Sequence, residues 1–319
     1  MYARILLPLD GSPAAEEAVP VAAGLARRSG AELELVLVHL RLAISFPDSP
    51  EAVDFGDLDA IQLEYEATYL SRVAERLRAE PGLRISTHHL SGPVVQTLAA
   101  HIADAAVDLV VMTTHGRGPV GRLWLGSVAD GLVRTASVPV LMLRSSDHSG
   151  DRRSSFRRVL VPLDQSTLAE HATGAARDLL DQDGDCVLLH VLHPGPLMSA
   201  MPAPFGVIPE LVADPESRDH AHNYLERIAR RLRHIGTRAG TAVTVAGNVA
   251  VEILDEARRE RVDAIVVTTH GVGGLRRLLL GSVVDKLVHG ADVPVLVCRP
   301  PAGRRAAPAR RARAVYRIG

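Results

Sequence analysis

Cysteine is nearly missing from this 319-residue chain. The two present, Cys186 and Cys298, sit inside the apolar runs DCVLLHV and VPVLVCRP, where a free thiol behaves as a small hydrophobe. A disulfide framework is thereby excluded. Long hydrophobic runs are missing too: none reaches the ~18 residues a membrane span needs, and MYARILLPLD meets Asp10 before a secretory hydrophobic region is complete. The chain reads as neither membrane-spanning nor exported, with the reducing cytoplasm as its expected compartment. Lysine occurs once, at Lys286, and no G-x4-G-K-[ST] phosphate loop exists, which counts against a kinase or fast phosphohydrolase. Net charge is almost absent, at −1, but it is unevenly laid out. The terminal PPAGRRAAPARRARAVYRIG holds Arg304, Arg305, Arg310, Arg311, Arg313 and Arg317 and no acid, so the remainder is acidic and a poor partner for polyanions. Contact with nucleic acid is left to that tail, whose Pro/Ala/Arg composition reads as a solvated, disordered terminus.

What is present is a repeat. THGRGPVGRLWLGSVADGLVRTASVPVLMLR (114–144) recurs as THGVGGLRRLLLGSVVDKLVHGADVPVLVCR (269–299), an offset of 155 residues. RILLPLDGS (4–12) answers RVLVPLDQS (158–166), and SGPVVQTLA (91–99) answers AGNVAVEIL (246–254). With 47% hydrophobic and 23% charged residues, the chain divides into two globular domains, 1–145 and 157–300, a polar linker at 146–156 and the tail 301–319.

Within each half, β-branched runs alternate with stretches of 3.6-residue period, the pattern of a parallel sheet with helices on both faces. Strands are expected at Arg4–Leu9, Glu32–His39, Leu83–Leu90, Asp108–Thr113 and Val138–Leu143, with helices near 13–28, 60–80, 93–105 and 127–136. The second half repeats the order, with strands near 158–163, 185–192, 240–246, 263–268 and 293–298. Ser12 is a good N-cap with Pro13 at the first helical position, whereas Pro20 should kink or break the first helix. The fold class is α/β: two repeated Rossmann-like or flavodoxin-like domains, each a five-stranded parallel sheet of order 3-2-1-4-5. That order reverses its winding between strands 1 and 4, and such a crevice is where these sheets bind ligands.

Two repeated loops open into it. Asp10 and Asp164 end the first strands, where a carboxylate could accept from an exocyclic amine or a ribose hydroxyl, or could cap the next helix. After the fourth strands, which end at Thr113 and Thr268, come His115-Gly116-Arg117 and His270-Gly271. After nine intervening residues, Gly126-Ser127-Val128 and Gly281-Ser282-Val283 open helices. Glycines let amides approach an anion, and a helix N-terminus adds donors and a dipole worth ~0.3–1 kcal/mol. Gly-Ser before a helix is also an ordinary cap. Gly116-x-Gly118-x-x-Gly121 formally matches a dinucleotide fingerprint but follows the wrong strand. His88-His89, His190-x-x-His193 and His220-x-His222 come without a carboxylate or thiolate set, so no metal site is expected.

These residues resemble a tandem universal stress protein, with two such domains covering nearly all of 1–300. The family's ATP-binding members carry G-x2-G-x9-G-[ST] after strand 4, matched here at Gly116, Gly126 and Ser127 and at Gly271, Gly281 and Ser282. Thr113 and Thr268 replace the motif's first glycine. By the same resemblance, Asp10 and Asp164 contact adenine or ribose, and Val38 and Leu189 fall where adenine is held by backbone. Gln165 stands where Gly11 follows the first aspartate. The resemblance implies an ATP-binding regulatory module in the stress response, with AMP, ADP or cyclic AMP as related ligands and Mg²⁺ accompanying a triphosphate. A nucleotide-free interaction module and a slow ATPase are the alternatives. It also implies docking of the two halves through their fifth strands, VPVLMLR (138–144) and VPVLVCR (293–299), and leaves room for a homodimer. Long segments at 40–60 and 193–215 follow the second strands on the ligand-side edge and read either as lids or as plain disorder.

Overall fold

A computed structural model describes residues 2–41, 43–44, 53–54, 56–114, 125–144, 155–193, 215–269 and 281–299. The first half runs β1 (Arg4–Leu9), α1 (Pro13–Glu16), α2 (Val19–Ser29), β2 (Glu32–His39), the two-residue strands β3 (Ala43–Ile44) and β4 (Val53–Asp54), α3 (Gly56–Arg78), β5 (Arg84–Ser91), α4 (Val94–Asp104), β6 (Leu109–Thr113), α5 (Ser127–Thr135) and β7 (Val140–Leu143). The second half runs β8 (Arg158–Pro162), α6 (Thr167–Leu179), β9 (Asp185–Leu192), α7 (Pro215–His234), β10 (Arg238–Val245), α8 (Val249–Arg259), β11 (Ala264–Thr268), α9 (Ser282–Gly290) and β12 (Val295–Cys298). The expected 13–28 helix is two helices. Pro20 cannot donate to a carbonyl one turn back, so the first turn stops at Glu16 and Pro20 sits in the opening turn of α2.

Ten of the strands form one sheet in the order β10-β9-β8-β11-β12-β7-β6-β1-β2-β5, while β3 and β4 pair antiparallel with each other. Each half is parallel and reads 3-2-1-4-5 in its own numbering. The halves meet where β12 runs antiparallel to β7, pairing Val295 with Met142, Leu296 with Leu141 and Val297 with Val140. Leu141 and Leu296 are equivalent in the repeat and lie opposite each other, so a local pseudo-twofold axis passes between them. Pro139 and Pro294 donate nothing and the fifth strands start only after them, yet their carbonyls accept from Val110 and Ile265.

Alternation along the strands sorts side chains to two faces. Ile5, Leu7 and Leu9 join α2, α3, α6 and α7 on one, and Leu6 and Leu160 join α4, α5, α8 and α9 on the other. Both layers cross the junction, with Leu141 and Leu296 in the first and Val140, Met142, Val295 and Val297 in the second. Phe156, read from sequence as the last linker residue, is 1% exposed and packs in the first layer. An isolated aromatic at the end of a polar run is anchored by the core beneath it rather than by its neighbours. Linker residues 146–154, the tail, 194–214 and most of 42–55 lie outside the described residues. Among the described residues no helix is long and apolar enough to cross a membrane.

Candidate functional site

The strand C-termini of each half share one edge, and the order reverses between β1 and β6 and between β8 and β11. At that edge Asp10 Oδ1 accepts from the Ser12 amide at 2.9 Å and from Ser12 Oγ at 2.6 Å, and Ser12 Oγ accepts from the Ala15 amide at 3.1 Å. The aspartate thus orients the residue that caps α1. Asp164 repeats this with Ser166 at 3.1 and 2.6 Å, and Ser166 Oγ accepts from Ala169 at 3.0 Å. Between aspartate and serine the backbone is left-handed in both halves, at φ +79° for Gly11 and +67° for Gln165. Gln165 meets the strain with a side-chain contact, Nε2 to His190 Nε2 at 3.2 Å, while His190 Nδ1 donates to the Leu163 carbonyl at 2.6 Å.

After the fourth strands the chain returns to its starting point. Gly126 donates to the Thr114 carbonyl at 2.8 Å, and Gly281 donates to the Thr269 carbonyl at 3.2 Å. The amides of these two glycines therefore point inward, against the expectation that they face an anion. At Gly281 the role is close approach: a Cβ there would lie 3.1 Å from the Thr269 carbonyl oxygen. The closure sets the N-termini of α5 and α9 beside the ends of β6 and β11. Neither has a side-chain cap, so Ser127 and Ser282, both exposed, do not fill the capping role. The acid in the first turn of α5, Asp130, is paired with Arg134 at 2.8 Å. Leu125, just before the turn, donates to His289 Nε2 of the other half at 3.2 Å.

The sequence reading missed one cluster. His39, at the end of β2, donates from Nδ1 to Glu66 Oε2 at 2.9 Å and from Nε2 to Asp59 Oδ1 at 2.9 Å. His89 Nε2 also reaches Glu66 Oε2 at 3.0 Å, and Gln62 Nε2 donates to Glu66 Oε1 at 2.8 Å. Burial by itself would depress the His39 pKa, but the bonds to Asp59 and Glu66 outweigh it and hold the imidazole above its ordinary value. Burial would likewise raise Glu66, and its bonds from Gln62, His89 and His39 keep it below the usual carboxylate range. The carboxylates absent from the neighbourhood of His89 in sequence are brought to it by α3.

The universal stress protein family model matches residues 1–144 and again 155–299. The chain belongs to the universal stress protein family. A universal stress protein of Mycolicibacterium smegmatis is 29% identical over 301 residues, 93% of this chain and 97% of that one. One of Mycobacterium tuberculosis is 30% identical over 302 residues, 92% and 96% of the two chains. The solved universal stress protein of Archaeoglobus fulgidus shares the fold at 20% identity, with a TM-score of 0.68 over 93% of this chain and 98% of that one.

In this universal stress protein, Asp10, Thr113, Gly126, Ser127 and Val128 come to one strand edge, as do Asp164, Thr268, Gly281, Ser282 and Val283. His115, Gly116, Arg117, His270 and Gly271 lie outside the described residues. Val38 and Leu189 are not equivalent. Pro8 pairs with Val36 and Pro162 with Leu189, so the counterpart of Val38 is Val191. Leu189 is wholly buried and its carbonyl already accepts from Leu163 at 2.8 Å, which leaves its backbone committed to the sheet. Counting residues along two runs of aliphatic side chains cannot reveal such a slip, whereas the ladder register does.

Proposed function

We propose that this universal stress protein binds an adenine nucleotide in each half, at the crevice between β1 and β6 and between β8 and β11. It would act as a regulatory module in the stress response rather than as a fast hydrolase. The observation that carries the reading is the duplicated pairing of an uncapped helix N-terminus with a strand-end aspartate at the point where the sheet reverses. First-turn amides of α5 and α9 would meet the phosphates, and Asp10 and Asp164 the ribose or adenine. His115, Gly116, Arg117, His270 and Gly271 belong to the same loops, and Thr113 and Thr268 to the pocket floor. ATP with Mg²⁺, ADP, AMP and cyclic AMP all fit this chemistry. The binding units would be 1–145 and 157–300, working in the cytoplasm as an intramolecular pseudo-dimer. Because β7 and β12 pair with each other, a homodimer would have to use another surface, such as the outer edges β5 and β10.

Calorimetry of the full chain against each of the four nucleotides tests this. Binding is expected, and Ser127→Asp combined with Ser282→Asp should weaken it at least tenfold, ~1.4 kcal/mol. An acid at these exposed first-turn positions suits the helix dipole, so stability is retained while the phosphates are repelled. No heat at millimolar concentration of any nucleotide ends the proposal. A kcat above ~1 s⁻¹ would replace it with hydrolysis.

A further inference from the structure

We propose that His39, Glu66 and His89 form a binding site for one divalent first-row transition ion of the zinc type, present in the first half alone. Three elements deliver the donors: β2, α3 and β5. His39 Nδ1 and His89 Nε2 lie 2.9 and 3.0 Å from the same oxygen, Glu66 Oε2, and the three donor atoms all fall within 4.8 Å of one another. A tetrahedral ion with bonds of about 2.0–2.1 Å sets its ligands about 3.3 Å apart. Two edges of the triangle need only widen by a few tenths of an ångström, and the third is within the reach of a small imidazole rotation.

The surroundings have the form of a second coordination shell. A ligating histidine ordinarily donates its other ring N–H to a carboxylate, which fixes the tautomer. His39 does so from Nε2 to Asp59 Oδ1 at 2.9 Å, leaving Nδ1 as the ligand nitrogen. Glu66 Oε1 receives the neutral Gln62 amide at 2.8 Å, so the carboxylate is oriented without being neutralised. Glu66 is 5% exposed and His39 3%, while the His89 side chain retains 22% exposure. Water could therefore reach the remaining coordination position from the His89 side. Two imidazoles and one carboxylate suit zinc, iron, cobalt or nickel and not the hard, all-oxygen preference of Mg²⁺.

A second cluster on the opposite face of the sheet, Glu34, His88 and His101, provides an internal control. There Arg4 Nε sits 2.9 Å from Glu34 Oε1, and a guanidinium at that distance opposes a second cation. Among the described residues the set does not recur in the second half. By ladder register its residues at the positions of His39 and His89 are Leu192 and Val243.

Without an ion the same side chains hold together through protons, as a buried hydrogen-bond network. Cobalt(II) distinguishes the two, because tetrahedral coordination gives it visible d–d absorption. The untagged full chain, stripped with chelator, is titrated with Co²⁺ and then with competing Zn²⁺. One equivalent of Co²⁺ per chain is expected, displaced by Zn²⁺. His89→Ala and Glu66→Gln should abolish the band, and Asp59→Asn should weaken affinity about 10–100-fold as an outer-shell loss. His88→Ala and His101→Ala should leave it unchanged, and urea unfolding confirms that each variant is folded. A folded wild-type chain that develops no band, a band that survives His89→Ala, or one lost with His101→Ala would each overturn the proposal. Nucleotide binding is read separately, so its failure and the failure of this site are independent.

Discussion

The two halves hold the same turn in the same place with different residues. Gly11 adopts φ +79° and Gln165 adopts φ +67° between aspartate and serine pairs whose hydrogen bonds agree within 0.2 Å. Glycine takes that conformation at little cost, whereas any other L-residue gives up roughly 1–2 kcal/mol. The second half keeps the turn regardless, because the aspartate, the serine and the helix it caps are all tied to one another. At the outer strands the halves part. The first places two histidines and two carboxylates between β2, β5 and α3, where the second has aliphatic side chains at the matching strand positions. Geometry at the strand-end crevice has been retained through duplication, and the outer edge has been free to change its chemistry.

The strongest challenge to that equivalence lies at the junction. Leu141 and Leu296 are each fully buried and face each other across the pseudo-twofold. Truncating either to alanine should cost about 2–5 kcal/mol, the range for a buried leucine whose cavity only partly collapses. Because the sites are equivalent, the two losses should agree within ~1 kcal/mol in urea unfolding. A large inequality would mean that one half, not the shared interface, holds the junction together.

The turn itself comes next in size. Gly11→Ala should destabilise the first half by about 1–2 kcal/mol, since a Cβ is introduced at left-handed φ. Gln165→Gly relieves that strain, but it forfeits the contact with His190, worth about 0.5–1.5 kcal/mol, and adds backbone entropy to the unfolded chain. Its net effect should fall within ~1 kcal/mol of zero. Thermal unfolding of both variants reads the asymmetry directly, and equal losses would show that residue identity at this turn has no bearing on its cost.

Much of the architecture was legible because its signals were local and stated twice. The aliphatic runs, the Asp-x-Ser turns and the Gly-Ser helix starts each recur at nearly constant offset, and Pro20 announced the break between α1 and α2. What stayed hidden depended on contacts between distant segments. His39, Glu66 and His89 belong to three elements, and no spacing rule links them. Val38 and Leu189 do not match across the halves, because an aliphatic strand carries no register mark of its own and the ladder with β8 supplies one. The flexibility of Gly126 and Gly281 suggests anion donors, whereas the chain's return to Thr114 and Thr269 claims their amides.

The smallest effect is the most exacting test of how independently the halves are built. Ser12 and Ser166 each accept from the amide three residues on, at 3.1 and 3.0 Å, while donating to an aspartate at 2.6 Å. Removing such a cap costs typically ~1 kcal/mol, so Ser12→Ala and Ser166→Ala should produce nearly equal, modest losses. The two turns lie on opposite sides of the junction, and distant changes of that kind add within about 0.3–0.5 kcal/mol. The double variant should therefore lose the sum of the single losses in urea unfolding. A coupling well above that margin would show that the strand-end crevices communicate through β7 and β12, and the halves would then have to be treated as one cooperative unit rather than as two copies of a domain.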